Sequence, residues 1–136
     1  MIIKILFLLF ATTLVEANPE KIKVTIQTEK LELFVADTDS SRARGLMGVD
    51  YLGENEGMIF FWPSASKKCM WMKNTSLPLS VAFIDQDRTI VQIDDLQPFS
   101  TDSVCSRSER IIAAIEMNKD WFEENDLKEG SQVNLN

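Results

Sequence analysis

The feature that most constrains the fold of this chain is a series of short segments in which apolar and polar residues alternate. In KIKVTIQT, Ile22, Val24 and Ile26 recur at every second position, and LELFV follows after a short polar break. Because successive side chains of a strand point to opposite faces, this pattern predicts two half-buried strands that form a hairpin over residues 21–35.

Similar short segments follow along most of the chain. The segment GMIFFW predicts a strand that stops at Pro63, and LSVAFID and TIVQID are separated by a turn, which indicates an antiparallel meander. RIIAAIEM is interpreted as a further strand, with helix as the alternative because of its alanines. CMWMK and SQVNL complete the series, the last as a closing strand.

Two short helices are expected between these strands. The first lies between capping residues at 37–41 and Gly48, and the second between Asn118 as its cap and Gly130 as its stop. The aromatic pair at 121–122 is expected on an inner face. The pattern as a whole predicts a mainly β fold, a compact antiparallel β-sandwich or barrel with two short helices.

The first seventeen residues have the pattern of a secretory signal peptide. In MIIKILFLLFATTLVEA, Lys4 precedes an apolar run over 5–10, and Val15-x-Ala17 is a small-residue cleavage pattern. The apolar run is too short to span a bilayer. We therefore predict an exported, periplasmic or secreted protein with one β-rich domain over 18–136 and no membrane attachment after cleavage.

Composition narrows the range of partners. The chain carries a net charge of −7, and no segment gathers its lysines and arginines into a run, so nucleic acid and anionic membranes are poor partners. The chain has no histidine, which excludes Ser-His-Asp and Cys-His nucleophile systems and imidazole-dependent zinc sites. The glycines are scattered singly, so no phosphate loop is present. We predict no cofactor and a monomer.

Two cysteines, Cys69 and Cys105, predict one disulfide, since oxidising compartments favour disulfides and an even count leaves no free thiol. A redox-active or copper-binding thiol is the alternative. The wide separation of the two cysteines in sequence argues against thioredoxin-like chemistry.

The stretch that begins at Cys69 places soft, aromatic and charged residues side by side. Alternation would send Met70 and Met72 to one face of a strand, and Cys69, Trp71 and Lys73 to the other. Trp71 and Lys73 are therefore expected to be neighbours.

This neighbourhood has a structural and a functional interpretation. In the structural one, Trp71 lies in the core or at its edge, and Lys73 extends over it to pair with Asp85 or Glu116. In the functional one, Trp71 is a platform in a shallow pocket where Lys73 and Asn74 hold an anionic or carbonyl group.

Methionines offer a third possibility, since thioethers near an indole are ligands that Cu(I) prefers. The alternative is that they fill gaps in the core, where methionine packs well against aromatic rings. The methionines in or beside the aromatic segments are Met47, Met58, Met70 and Met72.

Several motifs resemble one known family. RARGLMG, EGMIFFW, WMKNTSLPLSVAFID, IEMN and EGSQVNL together are similar to the proteins grouped as domain of unknown function 192. The resemblance implies a compact β-rich domain, often exported, with short helices and no established activity. The positions that match its signature are Arg42, Met47, Met58, Trp71, Lys73, Asn74, Asp85 and Glu116.

These observations favour a binding or accessory module for a small polar ligand or a peptide. The candidate ligand-binding residues are Arg42, Trp71, Lys73, Asn74, Asp85 and Glu116. Two alternatives stay open: Cu(I) binding through the four methionines and Trp71, and an enzyme with Lys73 or Glu116 as acid or base. No catalytic residue is assigned.

Overall fold

The computed structural model describes residues 19–135, so the predicted signal peptide over 1–17 lies outside the described residues. This part of the chain contains nine strands and two short helices. In chain order they are β1 (Lys21–Ile26), β2 (Glu29–Ala36), α1 (Asp39–Arg44), β3 (Glu56–Ser66), β4 (Cys69–Met70), β5 (Leu79–Asp85), β6 (Ile90–Leu96), β7 (Val104–Cys105), β8 (Ile111–Asn118), α2 (Trp121–Glu124) and β9 (Val133–Asn134).

Seven strands form one curled, half-barrel sheet in the order β6-β5-β8-β3-β2-β1-β9, and β4 pairs with β7 separately. The two edges of the large sheet meet at one point, where Thr89 and Gln132 form a bridge and the Ile90 N–H donates to the Ser131 carbonyl. The predicted mainly β fold with two short helices is thus confirmed.

One strand pair is parallel, β2 with β3, whereas the prediction was of an antiparallel fold. A parallel pair needs a crossover connection rather than a tight turn. Here the crossover consists of α1 and the loop over 45–55. Both therefore pack on one side of the sheet.

Alternation along the strands divides the core between the two faces of the sheet. The first face, which α2 covers, includes Ile26, Leu33, Ile59, Ile84, Ile115, Trp121 and Phe122. The second face, which the α1 crossover and the 69–75 segment cover, includes Phe60, Met70, Met72, Leu79, Val81, Phe83 and Ala114. The central strands β5 and β8 are buried on both faces.

The predicted hairpin over 21–35 is confirmed as β1 and β2, which pair from Lys21 with Phe34 to Ile26 with Glu29. RIIAAIEM is a strand, β8, rather than a helix.

The prediction that Pro63 stops its strand is wrong. β3 continues to Ser66, because its register with β8 shifts between Phe61 and Ser66. At such an irregularity the missing N–H of proline removes no ladder hydrogen bond.

The first helix is shorter than predicted. Thr38 caps it, since its hydroxyl accepts from the Ser41 N–H at 3.0 Å and the Ser41 hydroxyl accepts from the Thr38 N–H at 2.9 Å. The helix ends at Gly45, with φ of 48°, and not at Gly48. Only glycine adopts such a conformation without strain.

The second helix also differs from its prediction. Asn118 is the last residue of β8 and not a helix cap, because its side-chain amide donates to the carbonyls of Leu52 and Gly53. Asp120 precedes the four-residue helix, which ends before Asn125 rather than near Gly130. The aromatic pair at its start is buried, as predicted.

CMWMK is a strand only at Cys69–Met70, because the Met72 N–H then donates to the Ser100 carbonyl in a neighbouring loop. Within residues 19–135, no helix has the length and apolar character needed to cross a membrane.

Candidate functional site

A cavity of about 310 Å³ lies on the second face of the sheet, between α1 and the 69–75 segment. We call it the Arg42–Glu116 pocket. Its lining includes Arg42, Phe60, Trp62, Trp71, Lys73 and Glu116. Four of these are residues that the sequence predicts for a ligand site: Arg42, Trp71, Lys73 and Glu116.

The wall formed by the 69–75 segment is anchored by the predicted disulfide, which is present. Cys69 and Cys105 lie directly opposite each other in the β4–β7 pair, with Cα atoms 4.0 Å apart. The predicted alternation is confirmed, since Met70 and Met72 are buried whereas the Trp71 side chain remains 42% exposed. The segment thus packs its methionines inward and presents its indole to the pocket mouth.

Lys73 lies beside Trp71, as predicted, with its Nζ 5.3 Å from the centroid of the ring. A cation over an indole is attracted by the electron-rich face of the ring. The predicted ion pair with Asp85 or Glu116 is wrong for the described residues, in which Lys73 forms no salt bridge.

Arg42 projects from α1 and is fixed by two contacts. Its guanidinium donates to the Phe61 carbonyl at 2.7 Å and to the Asp39 carboxylate at 2.6 Å, and its side chain is 13% exposed. The bond to Phe61 ties α1 to β3, whereas the bond to Asp39 lies within α1, so the Arg42 side chain is held against the sheet.

Glu116 provides the acidic group of the pocket. It lies on β8 between Met58 of β3 and Val81 of β5, on a face that is otherwise apolar. The residue is 3% exposed, and burial raises the pKa of its carboxyl to about 8.

The carboxyl of Glu116 has no hydrogen-bond or ion-pair partner among residues 19–135. No side-chain oxygen or nitrogen of this part of the chain is both sealed from solvent and unpartnered. The carboxyl oxygens therefore keep a small accessible area, and this area faces the pocket that the residue lines.

An aromatic pair forms a further wall. The rings of Phe60 and Trp62 stack with centroids 6.2 Å apart and planes 21° apart. Lys68 lies over the Trp62 ring at 5.2 Å, and burial, followed by the charge of Arg42, lowers the pKa of Lys68. Gly45 approaches this wall, since a Cβ there would lie 3.4 Å from Phe60 Cζ.

Two of the predicted site residues lie outside the lining of the pocket. Asn74 has φ of 54°, and its carbonyl accepts from the Gly48 N–H, which ties the 69–75 segment to the crossover. Asp85 lies at the β5–β6 turn, where its carboxylate accepts from the N–H groups of Asp87 and Thr89 at 2.9 and 3.2 Å. Both have structural roles at these positions.

Three of the four candidate copper ligands, Met47, Met70 and Met72, line the pocket, whereas Met58 packs against the second face of the core outside it. Within residues 19–135, no group of three or more histidine, cysteine, aspartate and glutamate residues could hold a metal ion. Cu(I) binding stays a prediction.

Sequence reasoning missed Phe60, Trp62 and Gly45 as lining residues. The available signal was the alternation of EGMIFFW, which places Met58, Phe60 and Trp62 on the same face as Glu116 once the β3–β8 register is known. Nothing in the sequence specifies that register.

The solved structures to which this chain is similar include the following two. The structure of a proposed transcription regulator from Sinorhizobium meliloti 1021 matches with a TM-score of 0.83 and 29% identity, over 88% of this chain and 96% of that one. A protein of unknown function from Novosphingobium aromaticivorans DSM 12444 matches with a TM-score of 0.78 and 26% identity, over 88% and 94%. The fold is shared with both.

No curated protein sequence matches this chain. The model of the DUF192 family, described as uncharacterized ACR, COG1430, matches residues 21–135. Because this match covers every described strand and helix of the fold, the chain belongs to the DUF192 family.

Proposed function

We propose that this protein is an exported binding module whose Arg42–Glu116 pocket takes a small polar ligand or a short peptide segment. The observation that carries the proposal is that Arg42, Trp71, Lys73 and Glu116, distant in sequence, line one cavity. A cavity of this size with mostly apolar walls and a few converging polar groups is typical of a small-molecule site.

The pocket combines three kinds of chemistry. Basic groups come from α1 and from Lys73 of the 69–75 segment, aromatic rings and thioethers form much of the lining, and a buried carboxyl lies on the sheet. Such a lining favours a ligand with both polar and apolar parts over a purely hydrophobic one.

Export is part of this proposal. The Cys69–Cys105 disulfide supports an oxidising compartment, in which structural disulfides persist. We therefore place the mature protein in the periplasm or outside the cell, as a monomer with no nucleic-acid or membrane partner.

The test is to screen a panel of small polar metabolites and short peptides by Trp fluorescence and then to measure affinities for Lys73→Ala. Loss of the exposed Lys73 should weaken binding at least tenfold and change the free energy of unfolding by less than about 1 kcal/mol. Lys67→Ala is the matched control, because Lys67 is also exposed but does not line the pocket. Equal binding by both variants, or unfolding of Lys73→Ala, would refute the proposal.

A second candidate function is an enzyme with Glu116 as general acid. The favouring observation is that its pKa is raised to about 8 in a concave site, which keeps the carboxyl protonated at neutral pH. An activity of this kind would fall as pH rises through 8 and would be lost in Glu116→Gln. A turnover rate that is unchanged in Glu116→Gln would exclude this role.

A further inference from the structure

The carboxyl of Glu116 is the one acidic group in the lining of the Arg42–Glu116 pocket. Glu116 is 3% exposed, and its carboxyl has no hydrogen-bond or ion-pair partner within residues 19–135. A buried carboxylate without a partner is costly, and a positive charge placed beside it removes most of that cost.

The basic groups of the pocket do not supply that charge. Arg42 is committed to Asp39 and the Phe61 carbonyl, and Lys73 lies on the Trp71 ring. Burial is the cause of the raised pKa of Glu116, and no basic side chain offsets it. The lining therefore combines a buried carboxyl that has no basic partner within residues 19–135 with basic side chains from α1 and the 69–75 segment.

The apolar part of the lining suits a methylated cation. It includes the aromatic rings of Phe60 and Trp62 and the thioether of Met72. Methyl groups on nitrogen pack well against such groups, and the positive charge is attracted to the rings.

The indoles of the pocket already hold cations. The ammonium groups of Lys68 and Lys73 lie 5.2 and 5.3 Å from the ring centroids of Trp62 and Trp71. The net charge of −7 also favours the approach of positively charged groups over anions.

We propose that the Arg42–Glu116 pocket binds a small zwitterion, with a methylated ammonium group against Glu116 and an acidic group facing Arg42, Arg44 and Lys73. This inference rests on the proposed function, since it names the ligand class of the same pocket. The ammonium group of such a ligand pairs with the Glu116 carboxylate, and its acidic group pairs with the basic side chains. A simple cation or a simple anion would make only one of these two pairings.

Binding is expected to release a proton. The ammonium group favours the carboxylate form, so Glu116, whose carboxyl pKa burial raises to about 8, loses its proton as the ligand enters. The charged groups in the lining besides Glu116 are Arg42, Arg44 and Lys73, and Lys68 lies over the Trp62 ring. The strands beside Glu116 present Met58 and Val81, which do not titrate. Affinity should therefore rise up to about tenfold per pH unit below pH 8 and level off above it.

The test compares three probes of nearly equal size by isothermal titration with the full chain. Glycine betaine carries both charges, 3,3-dimethylbutanoate replaces its nitrogen by carbon, and choline lacks the carboxylate. We expect glycine betaine to bind at least tenfold more tightly than either of the others. Heats measured in buffers of different ionisation enthalpy at pH 7 should show release of up to one proton.

A substitution of Glu116 and a control substitution provide the second part of the test. Glu116→Gln should bind glycine betaine and 3,3-dimethylbutanoate equally and should release no proton, whereas the exposed control Glu109→Gln should behave like wild type. The comparison of probes on the wild-type protein does not depend on whether Glu116→Gln folds.

Equal affinity of the wild-type protein for glycine betaine and 3,3-dimethylbutanoate would overturn the inference, as would the absence of binding by all three probes. The proposed function fails separately, only if the wider ligand panel also finds nothing that binds in this pocket. A preference for 3,3-dimethylbutanoate would keep the pocket as a binding site and replace the zwitterion by an anion.

Discussion

At the scale of single residues, the pocket depends on one carboxyl group, that of Glu116, on a sheet face that is otherwise apolar. Its neighbours on both adjacent strands are apolar, and no side chain within residues 19–135 pairs with the carboxyl to stabilise its charge. Burial therefore raises the pKa of this carboxyl. Both ligand binding and the free energy of unfolding then depend on pH through its protonation.

Glu116→Gln should remove a pH dependence of stability. The carboxyl pKa is raised from 4.5 to about 8 on folding, so the folded state holds a proton that the unfolded state has lost between these values. The stability this contributes is fully present below pH 4.5 and is lost as pH rises through 8, at up to about 1.4 kcal/mol per pH unit.

Urea unfolding of both proteins from pH 4 to 9 would measure this effect. The free energy of unfolding of wild type relative to Glu116→Gln should fall across the window and level off above it. The exposed variant Glu109→Gln should run parallel to wild type. A constant difference between wild type and Glu116→Gln would show that the carboxyl titrates normally.

Gly57→Ala should disturb the pocket through the backbone. A Cβ at position 57 would overlap the Glu116 carbonyl oxygen and the Met117 sulfur, and the backbone oxygen cannot move aside. We expect a loss of roughly 1–3 kcal/mol in the free energy of unfolding, together with weaker ligand binding.

Gly130→Ala is the matched control for this prediction. Nothing lies within 4 Å of its added Cβ, and only its φ of +96° opposes the change, at a cost of about 1 kcal/mol. Ligand affinity should stay unchanged there. Equal effects of the two variants on affinity would contradict a role for Gly57 in placing Glu116.

At the scale of elements, two short pieces that would not be stable alone form walls of the pocket. The six-residue helix α1 is held by its cap and by Arg42, and the 69–75 segment by its disulfide. Each wall can therefore be weakened by one substitution.

Thr38→Ala removes the bond that the Thr38 hydroxyl accepts from the Ser41 N–H, whereas the backbone N–H of residue 38 keeps its bond to the Ser41 hydroxyl. The free energy of unfolding should fall by about 1 kcal/mol. Because α1 carries Arg42, ligand affinity should fall as well. Thr28→Ala is a suitable control, since Thr28 is exposed in a turn outside α1. Chemical unfolding and binding titrations test both effects, and an unchanged Thr38→Ala protein would contradict this role of the cap.

Loss of the disulfide should lower the free energy of unfolding by roughly 3 to 4 kcal/mol, since the bond closes a loop of 36 residues in sequence separation. Reductant should produce the same change in wild type and none in the Cys69→Ser, Cys105→Ser double variant. If reductant leaves wild-type stability unchanged, the bond does not contribute in solution.

The strands were more predictable from sequence than the irregular walls, for a physical reason. Alternation in KIKVTIQT and LELFV records which face of a strand is buried, so β1 and β2 follow from the pattern. The parallel β2–β3 pair does not, because pairing between distant segments leaves no local signal.

The same limit applies to the site. The neighbouring pair Trp71 and Lys73 is local in sequence and was predictable, as was the inward packing of Met70 and Met72. The separation of Asp85 from the pocket depends on how β5 turns into β6, where its carboxylate satisfies two N–H groups. Asp85 is required there for the turn, which its match to the family pattern alone does not reveal.

At the scale of the whole molecule, the two faces of the sheet differ in what they contribute to stability and to the pocket. The first face holds a continuous apolar core under α2, whereas the second face combines apolar packing with the pocket. The shared strands β5 and β8 contribute to both, which places a ligand site directly on the most buried part of the fold.

Substitutions on the first face should therefore lower the free energy of unfolding without changing affinity. Substitutions in the pocket on the second face should lower affinity. Ile26→Ala, on the first face, should lower the free energy of unfolding by about 2–5 kcal/mol and leave the affinity of the folded protein unchanged. Phe60→Leu, in the pocket lining, should reduce affinity with a smaller loss of stability. Equal loss of affinity in both variants would contradict the separation.

The most direct measurement of the central claim is an NMR titration of the isotope-labelled full chain with small polar compounds of positive, negative, zwitterionic and neutral charge. We predict that at least one compound shifts the Trp71 indole N–H, the Lys73 amide and the Glu116 side-chain carboxyl together and saturably. If no compound shifts these signals, or the shifts cluster elsewhere, for example at the exposed Tyr51 and Phe99, the pocket is not a ligand site.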